Sequence, residues 1–269
     1  MFTNQQVYGQ LALGLACILI PLASMVYLKV KKQGLIRYAL YGALVFFFFA
    51  LTLERFLHGM VLPQIDIQTQ PWIYALYGAL AAAVFEEIPR YFVLKGLDKK
   101  DKVTLVDSLQ YGLGHGGFEM MILVGISCIS NFLLEKKINE VGLNGILKGL
   151  PIPYQGQVKV SVEALKAFQG TDYFLPLIER LLSLSFHITM GVFAFFLLRG
   201  ILKKSGLFWM VFLHFIVDLP AGLYQAGKIK SLGPVYGVYL VLILVLAYFL
   251  RSQWKKVTLT RDQEEQGVI

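Results

Sequence analysis

The sequence predicts an all-α protein, a polytopic transmembrane helix bundle of about seven spans, and three observations predict it. Apolar runs of bilayer-spanning length recur along the chain, charged residues are scarce, and Lys and Arg gather in alternate connections. Of the 269 residues, 57% are hydrophobic and 16% are charged, whereas a soluble domain is about 25% charged. Mean hydropathy is +0.62. A helix needs roughly 20 apolar residues to cross the hydrocarbon core, and no soluble core of this size needs so many long apolar runs.

The runs fall at 8–28, 36–57, 72–94, 109–134, 174–198, 207–226 and 234–250. The first is preceded by no basic residue, Lys29 being the earliest, so it is expected to be a retained helix and not a cleaved signal peptide. The third contains Pro89, which kinks a membrane helix and frees a carbonyl. Gly112, Gly114, Gly116 and Gly117 mark the fourth; such small residues let helices approach closely, or leave room for a substrate backbone. Between the fourth and fifth runs lies the one long polar segment, 135–173, weakly amphipathic around 141–150 and 160–168 and expected to be an extracytoplasmic loop. The chain is thus expected to form a single transmembrane domain over 1–250 with a loose, polar cytoplasmic tail at 251–269.

Orientation follows from the connections. The first, third and fifth hold Lys29, Lys31, Lys32 and Arg37, then Lys95, Lys99, Lys100 and Lys102, then Arg199, Lys203 and Lys204. The second, at 58–71, has no Lys or Arg. With seven spans, basic cytoplasmic loops place the N-terminus outside and the C-terminus in the cytoplasm. The same pattern accounts for the net charge of +8, so no nucleic-acid partner is expected. Cys17 and Cys128 both lie in apolar runs and suggest neither a disulfide framework nor a CxxC site.

Charged residues inside spans are expensive and mark functional candidates. The third span carries Glu86, Glu87 and Arg90, the fourth His115 and Glu119, the fifth Glu179, Arg180 and His187, and the sixth His214 and Asp218. Each has a plain structural reading. Glu86 with Arg90 can be a self-neutralising pair, His115 with Glu119 and His214 with Asp218 can be intrahelical hydrogen bonds, His187 can bridge helices, and Glu179 with Arg180 can snorkel at the outer end. Depth favours a shared role. Counted from the cytoplasmic ends, Glu86, His115, His187, His214 and Asp218 all fall roughly 9–17 Å deep at ~1.5 Å per residue. The i,i+4 spacing puts His115 with Glu119, and His214 with Asp218, on one helix face. Imidazole and carboxylate ligands suit Zn²⁺ with one position left for water, and Glu86 or Glu87 can serve as general base.

At these residues the chain resembles the YhfC family of bacterial intramembrane metalloproteases, a group related in pattern to the PrsW and CAAX-type proteases. The resemblance is carried by Glu86-Glu87-x-x-Arg90-Tyr91, Gly114-His115-Gly116-Gly117-x-Glu119, Glu179-Arg180 followed by His187, and His214-x-x-x-Asp218. His115 stands where the wider group has Phe. The resemblance implies proteolysis in the bacterial cytoplasmic membrane. Its catalytic residues would be Glu86, Glu87, Arg90 and His187, and its metal ligands His115, Glu119, His214 and Asp218. The expected partners are a membrane-embedded or membrane-anchored peptide or protein substrate and the lipid bilayer, with Zn²⁺ as the cofactor. A proton- or cation-coupled transporter using the same His/carboxylate cluster is the alternative, although no internal repeat supports it. A silent scaffold that keeps the fold is a third reading.

Overall fold

The computed structural model describes residues 1–265, without the side chains of residue 171 and of residues 256–265. It shows eight long helices: α1 (Asn4–Lys32), α2 (Ile36–Gln64), α3 (Pro71–Lys100), α4 (Leu105–Lys148), α5 (Ile152–Ala167), α6 (Phe174–Leu198), α7 (Gly206–Gln225) and α8 (Gly233–Glu265). No strand occurs among the described residues. α1, α2, α4, α6, α7 and α8 are long and apolar enough to cross a membrane. α3, at 30 residues, is long enough too; it carries Glu86, Glu87 and Arg90, and all three are buried inside the protein. The chain is a multi-pass helical membrane bundle. Leu19, Leu22 and Val26 of α1, and Leu240, Val241, Leu244, Val245 and Tyr248 of α8, are exposed. Such contiguous apolar surface suits lipid as its solvent.

Two segments expected to be irregular are helical. α4 continues through the expected loop to Lys148, with a kink where Gly142 takes φ +74°, and α5 and a 3-10 turn at Gly170–Tyr173 follow. Apart from the buried Glu135, the charged residues of the α4 extension and of α5 are exposed, while Ile138 and Val162 are buried in an apolar cluster with Phe2 and Val7, so a thin apolar stripe is enough to dock them. α8 likewise runs on to Glu265 in the expected tail; residues 266–269 lie outside the described residues.

The chain divides into two compact units, a smaller one of Met1–Ser24 with Gly117–Leu181 and a larger one of Met25–Gly116 with Leu182–Ile269. In the smaller unit the start of α1 runs antiparallel to the second half of α4. The Phe2 amide donates to Asn139 Oδ1 (2.7 Å) and Asn139 Nδ2 donates to Phe2 O (2.8 Å), while Gly14 packs on Ile129 and Gly125 on Ile18. Gln6 Nε2 donates to the carbonyls at the end of α5, Lys166 O (3.0 Å) and Phe168 O (3.2 Å).

The larger unit has an aromatic and methionine core that includes Tyr38, Tyr111, Phe186, Met190, Phe196 and Met210. A Cβ on Gly114 would collide with the Ala39 backbone, and one on Gly116 would sit 2.9 Å from His187 Cβ. These two glycines therefore serve packing: they draw α4 onto α2 and α6 and bring the His187 ring to 4.8 Å from that of His115. Beyond the spans, Arg199 clamps Asp98 with Nη2–Oδ1 at 2.6 Å and Nη1–Oδ2 at 3.1 Å. That guanidinium holds the Asp98 carboxyl below the usual carboxylate range.

Candidate active site

The candidate site lies wholly in the larger unit, where α3, α4, α6 and α7 each contribute. α3 presents Glu86 and Glu87 on adjacent faces, about 100° apart. The missing N–H of Pro89 leaves the Phe85 carbonyl without its i+4 donor. Glu86 Oε2 is the hub. It lies 2.8 Å from His115 Nε2, 3.8 Å from His187 Nδ1 and 3.9 Å from His214 Nε2. The three rings form a wall around it, with His187 and His214 centroids 5.5 Å apart. Phe46 stands edge-on to His115 and Phe186 edge-on to His214, both at 5.3 Å. Phe46 opens a π-helical stretch of α2, Phe46–Glu54, of the kind often found at functional sites.

Glu87 has a different setting. It is fully buried, with Oε2 2.9 Å from Arg90 Nε and Oε1 2.7 Å from His214 Nδ1. Arg90, also fully buried, donates from Nη1 to the His187 carbonyl (3.2 Å) and from Nη2 to His187 Nδ1 (2.9 Å). The His214 ring has a carboxylate on each side, Glu87 at Nδ1 and Asp218 Oδ2 at Nε2, 3.2 Å away. Tyr239 of α8 donates to the other Asp218 oxygen at 3.1 Å. Two carboxylate acceptors call for two ring donors, which is the imidazolium arrangement of histidine. Glu87 thus meets Arg90 and His214, and Asp218 meets His214 and Tyr239, while Glu86 faces the three histidine rings.

Of the residues singled out in the sequence, Glu86, Glu87, Arg90, His115, His187, His214 and Asp218 are thus brought into one network. Glu119 belongs to the smaller unit, where its Oε1 accepts from Arg180 Nη1 at 2.6 Å. Arg180 is also paired with Glu179. Tyr239 escapes sequence reasoning, because one tyrosine among fourteen carries no motif and its partner is on another helix.

A metal would find a fitting donor set in Glu86, His115 and His187, whose ligand atoms all lie within 4.8 Å of one another. Carboxylate and imidazole in a three-ligand set suit a catalytic site with an open position. His187 accepts from Arg90 at Nδ1 in this structure, so its neutral ring carries the proton on Nε2. Ligation would require that arrangement to change.

Buried Glu and His residues thus converge from four helices of a multi-pass helical bundle. The profile of the YhfC intramembrane metalloprotease family matches residues 16–240, and the chain belongs to that family. It is 30% identical over 254 residues, 91% of this chain and 94% of the relative, to the uncharacterized membrane protein YhfC of Bacillus subtilis (strain 168). No solved structure matches the chain.

Proposed function

We propose that the protein is an intramembrane peptidase of the bacterial cytoplasmic membrane, hydrolysing a peptide bond of a membrane-embedded or membrane-anchored substrate, with Glu86 as the carboxylate that activates water. The observation that carries this reading is the placement of the buried Glu86 carboxylate, through Oε2, among three histidine rings. A general base must reach its proton and remain ionised. Glu87 is sealed by Arg90 and His214 and acts as a positioning residue.

Glu86 would take a proton from the attacking water and return it to the leaving amine. Arg90 orients the His187 ring through Nδ1 and the backbone carbonyl. The imidazolium of His214 lends positive charge beside the carbonyl oxygen as it becomes an oxyanion, and such preorganised charge is worth most where water is excluded. Asp218 is 23% exposed at its side chain. The metal that the family implies would be held by His115, His187 and one oxygen of Glu86, leaving the other Glu86 oxygen as the base; zinc is the ion this donor set suits, and when bound it would supply Lewis-acid polarisation and a lower pKa for water.

The test uses protein purified into lipid nanodiscs with a panel of single-span peptides. Wild type should cleave one of them, and bound zinc should approach one ion per chain. Glu86→Gln should abolish cleavage while the melting midpoint stays close to wild type. Zinc should fall in His115→Ala and in His187→Ala. A folded wild type that takes up no metal, and in which Glu86→Gln changes nothing, overturns the reading. Proton-driven solute uptake lost in the same variant would assign the cluster to transport.

A further inference from the structure

The smaller unit contains a carboxyl group that the site above does not use. Glu135, on α4 in the segment expected to be loop, is fully buried; neither of its carboxylate oxygens makes a well-formed hydrogen bond among the described residues, and the side-chain amide of Gln10 is the partner within reach. Buried carboxylates are normally paired or hydrogen-bonded, because removing an anion from water is costly. Glu87, equally buried, meets Arg90 and His214; no Lys, Arg or His among the described residues forms an ion pair with Glu135.

Its surroundings are polar but uncharged. Gln10 of α1, itself buried, stands against it. The titratable groups close enough to feel its charge are the buried thiol of Cys128, seven residues earlier on the same face of α4, and Tyr173 from the 3-10 turn. The Tyr173 hydroxyl is already committed as donor to Gln6 O at 3.2 Å. Cys17 of α1 lies next to Cys128 and is buried too. One turn beyond Glu135, Ile138 packs with Phe2, Val7 and Val162 under α5, so water is kept off this face.

We propose that Glu135 is a proton-binding site: a carboxylic acid that keeps its proton in the folded protein at neutral pH and joins α4 to α1 in that form. As an acid, its O–H can donate to the side-chain oxygen of Gln10, and the charge that no group answers disappears. Loss of the proton leaves a bare carboxylate between α1 and α4 beneath the α5 cap. The smaller unit should then loosen. Because the folded state holds a proton that the unfolded chain releases, stability should fall as pH rises through the titration of this group.

Infrared difference spectroscopy of the full-length protein in nanodiscs tests this. Wild type minus Glu135→Gln at neutral pH should show the carbonyl band of a protonated carboxylic acid, and that band should vanish at alkaline pH. Glu135→Asp should shift the band without removing it, which keeps the test open if the glutamine variant folds poorly. The wild-type melting midpoint should drop between mildly acidic and mildly alkaline buffer by more than that of Glu135→Gln. A difference spectrum with only carboxylate bands at neutral pH, or identical pH dependence of melting in the two proteins, overturns the proposal; sodium-dependent melting of wild type alone would replace the proton with a bound cation.

Discussion

The two units treat buried charge in opposite ways. In the larger one, Glu87, Arg90, His187, His214, Asp218 and Tyr239 form a continuous network in which nearly every ionised group has an oppositely charged or donating neighbour, and Glu86 is ringed by three histidines. In the smaller one, Arg180 is shared between Glu119 and Glu179 near the edge of the protein, while Glu135 meets only an amide deeper inside. The contrast separates chemistry from structure. A carboxylate ringed by histidines can act on water; a carboxyl with no cation near it is best kept neutral.

Removing the Glu86 carboxylate should have the largest effect. Glu86→Gln is expected to lower hydrolysis about 10²–10⁴-fold, the usual worth of a general base, with little change in melting; Glu119→Gln should leave the rate far closer to wild type in the same cleavage assay. Breaking the network instead of its hub should show in stability. Arg90→Met leaves Glu87 buried without its guanidinium and should cost about 3–5 kcal/mol, read from unfolding in detergent. Arg180→Met, whose partners are 11% and 24% exposed at the side chain, should cost clearly less. Equal losses would mean that the units do not differ as described.

A smaller effect is expected at the Asp98–Arg199 clamp. The folded-state pKa of Asp98 is depressed by its bond from Arg199, so this stabilisation is present at neutral pH and lost as pH falls through the folded value. Asp98→Asn should cost about 2 kcal/mol at neutral pH, and its melting should decline less on acidification than that of wild type. This acid-side loss is opposite in sign to the alkaline loss expected from Glu135. The smallest change is expected for Tyr239→Phe, which removes one hydrogen bond to Asp218 worth ~1 kcal/mol. Hydrolysis should slow modestly with little change in KM, because Asp218 then holds His214 less firmly.

Much of this contrast was legible in the sequence for a simple reason. Apolar runs and loop charges act locally, so the helical membrane class follows from composition and period alone. The common depth of Glu86, His115, His187, His214 and Asp218 follows as well, because each lies a countable number of turns from a helix end. Helix ends in the polar segment 135–173 and at 251–269 were not legible, since a thin apolar stripe such as Ile138 with Val162 gives a weak periodic signal.

Side-chain partnership was decided only by tertiary structure. The i,i+4 spacing allows His115 to meet Glu119, yet His115 meets Glu86 on another helix and Glu119 meets Arg180. Which glutamate is sealed depends on Arg90 and His214 closing on Glu87, contacts that join residues 3 and 127 positions away. Local spacing fixes which residues share a face. The rotation of each helix against its neighbours, set by close packing at positions such as Gly114 and Gly116, decides what that face meets.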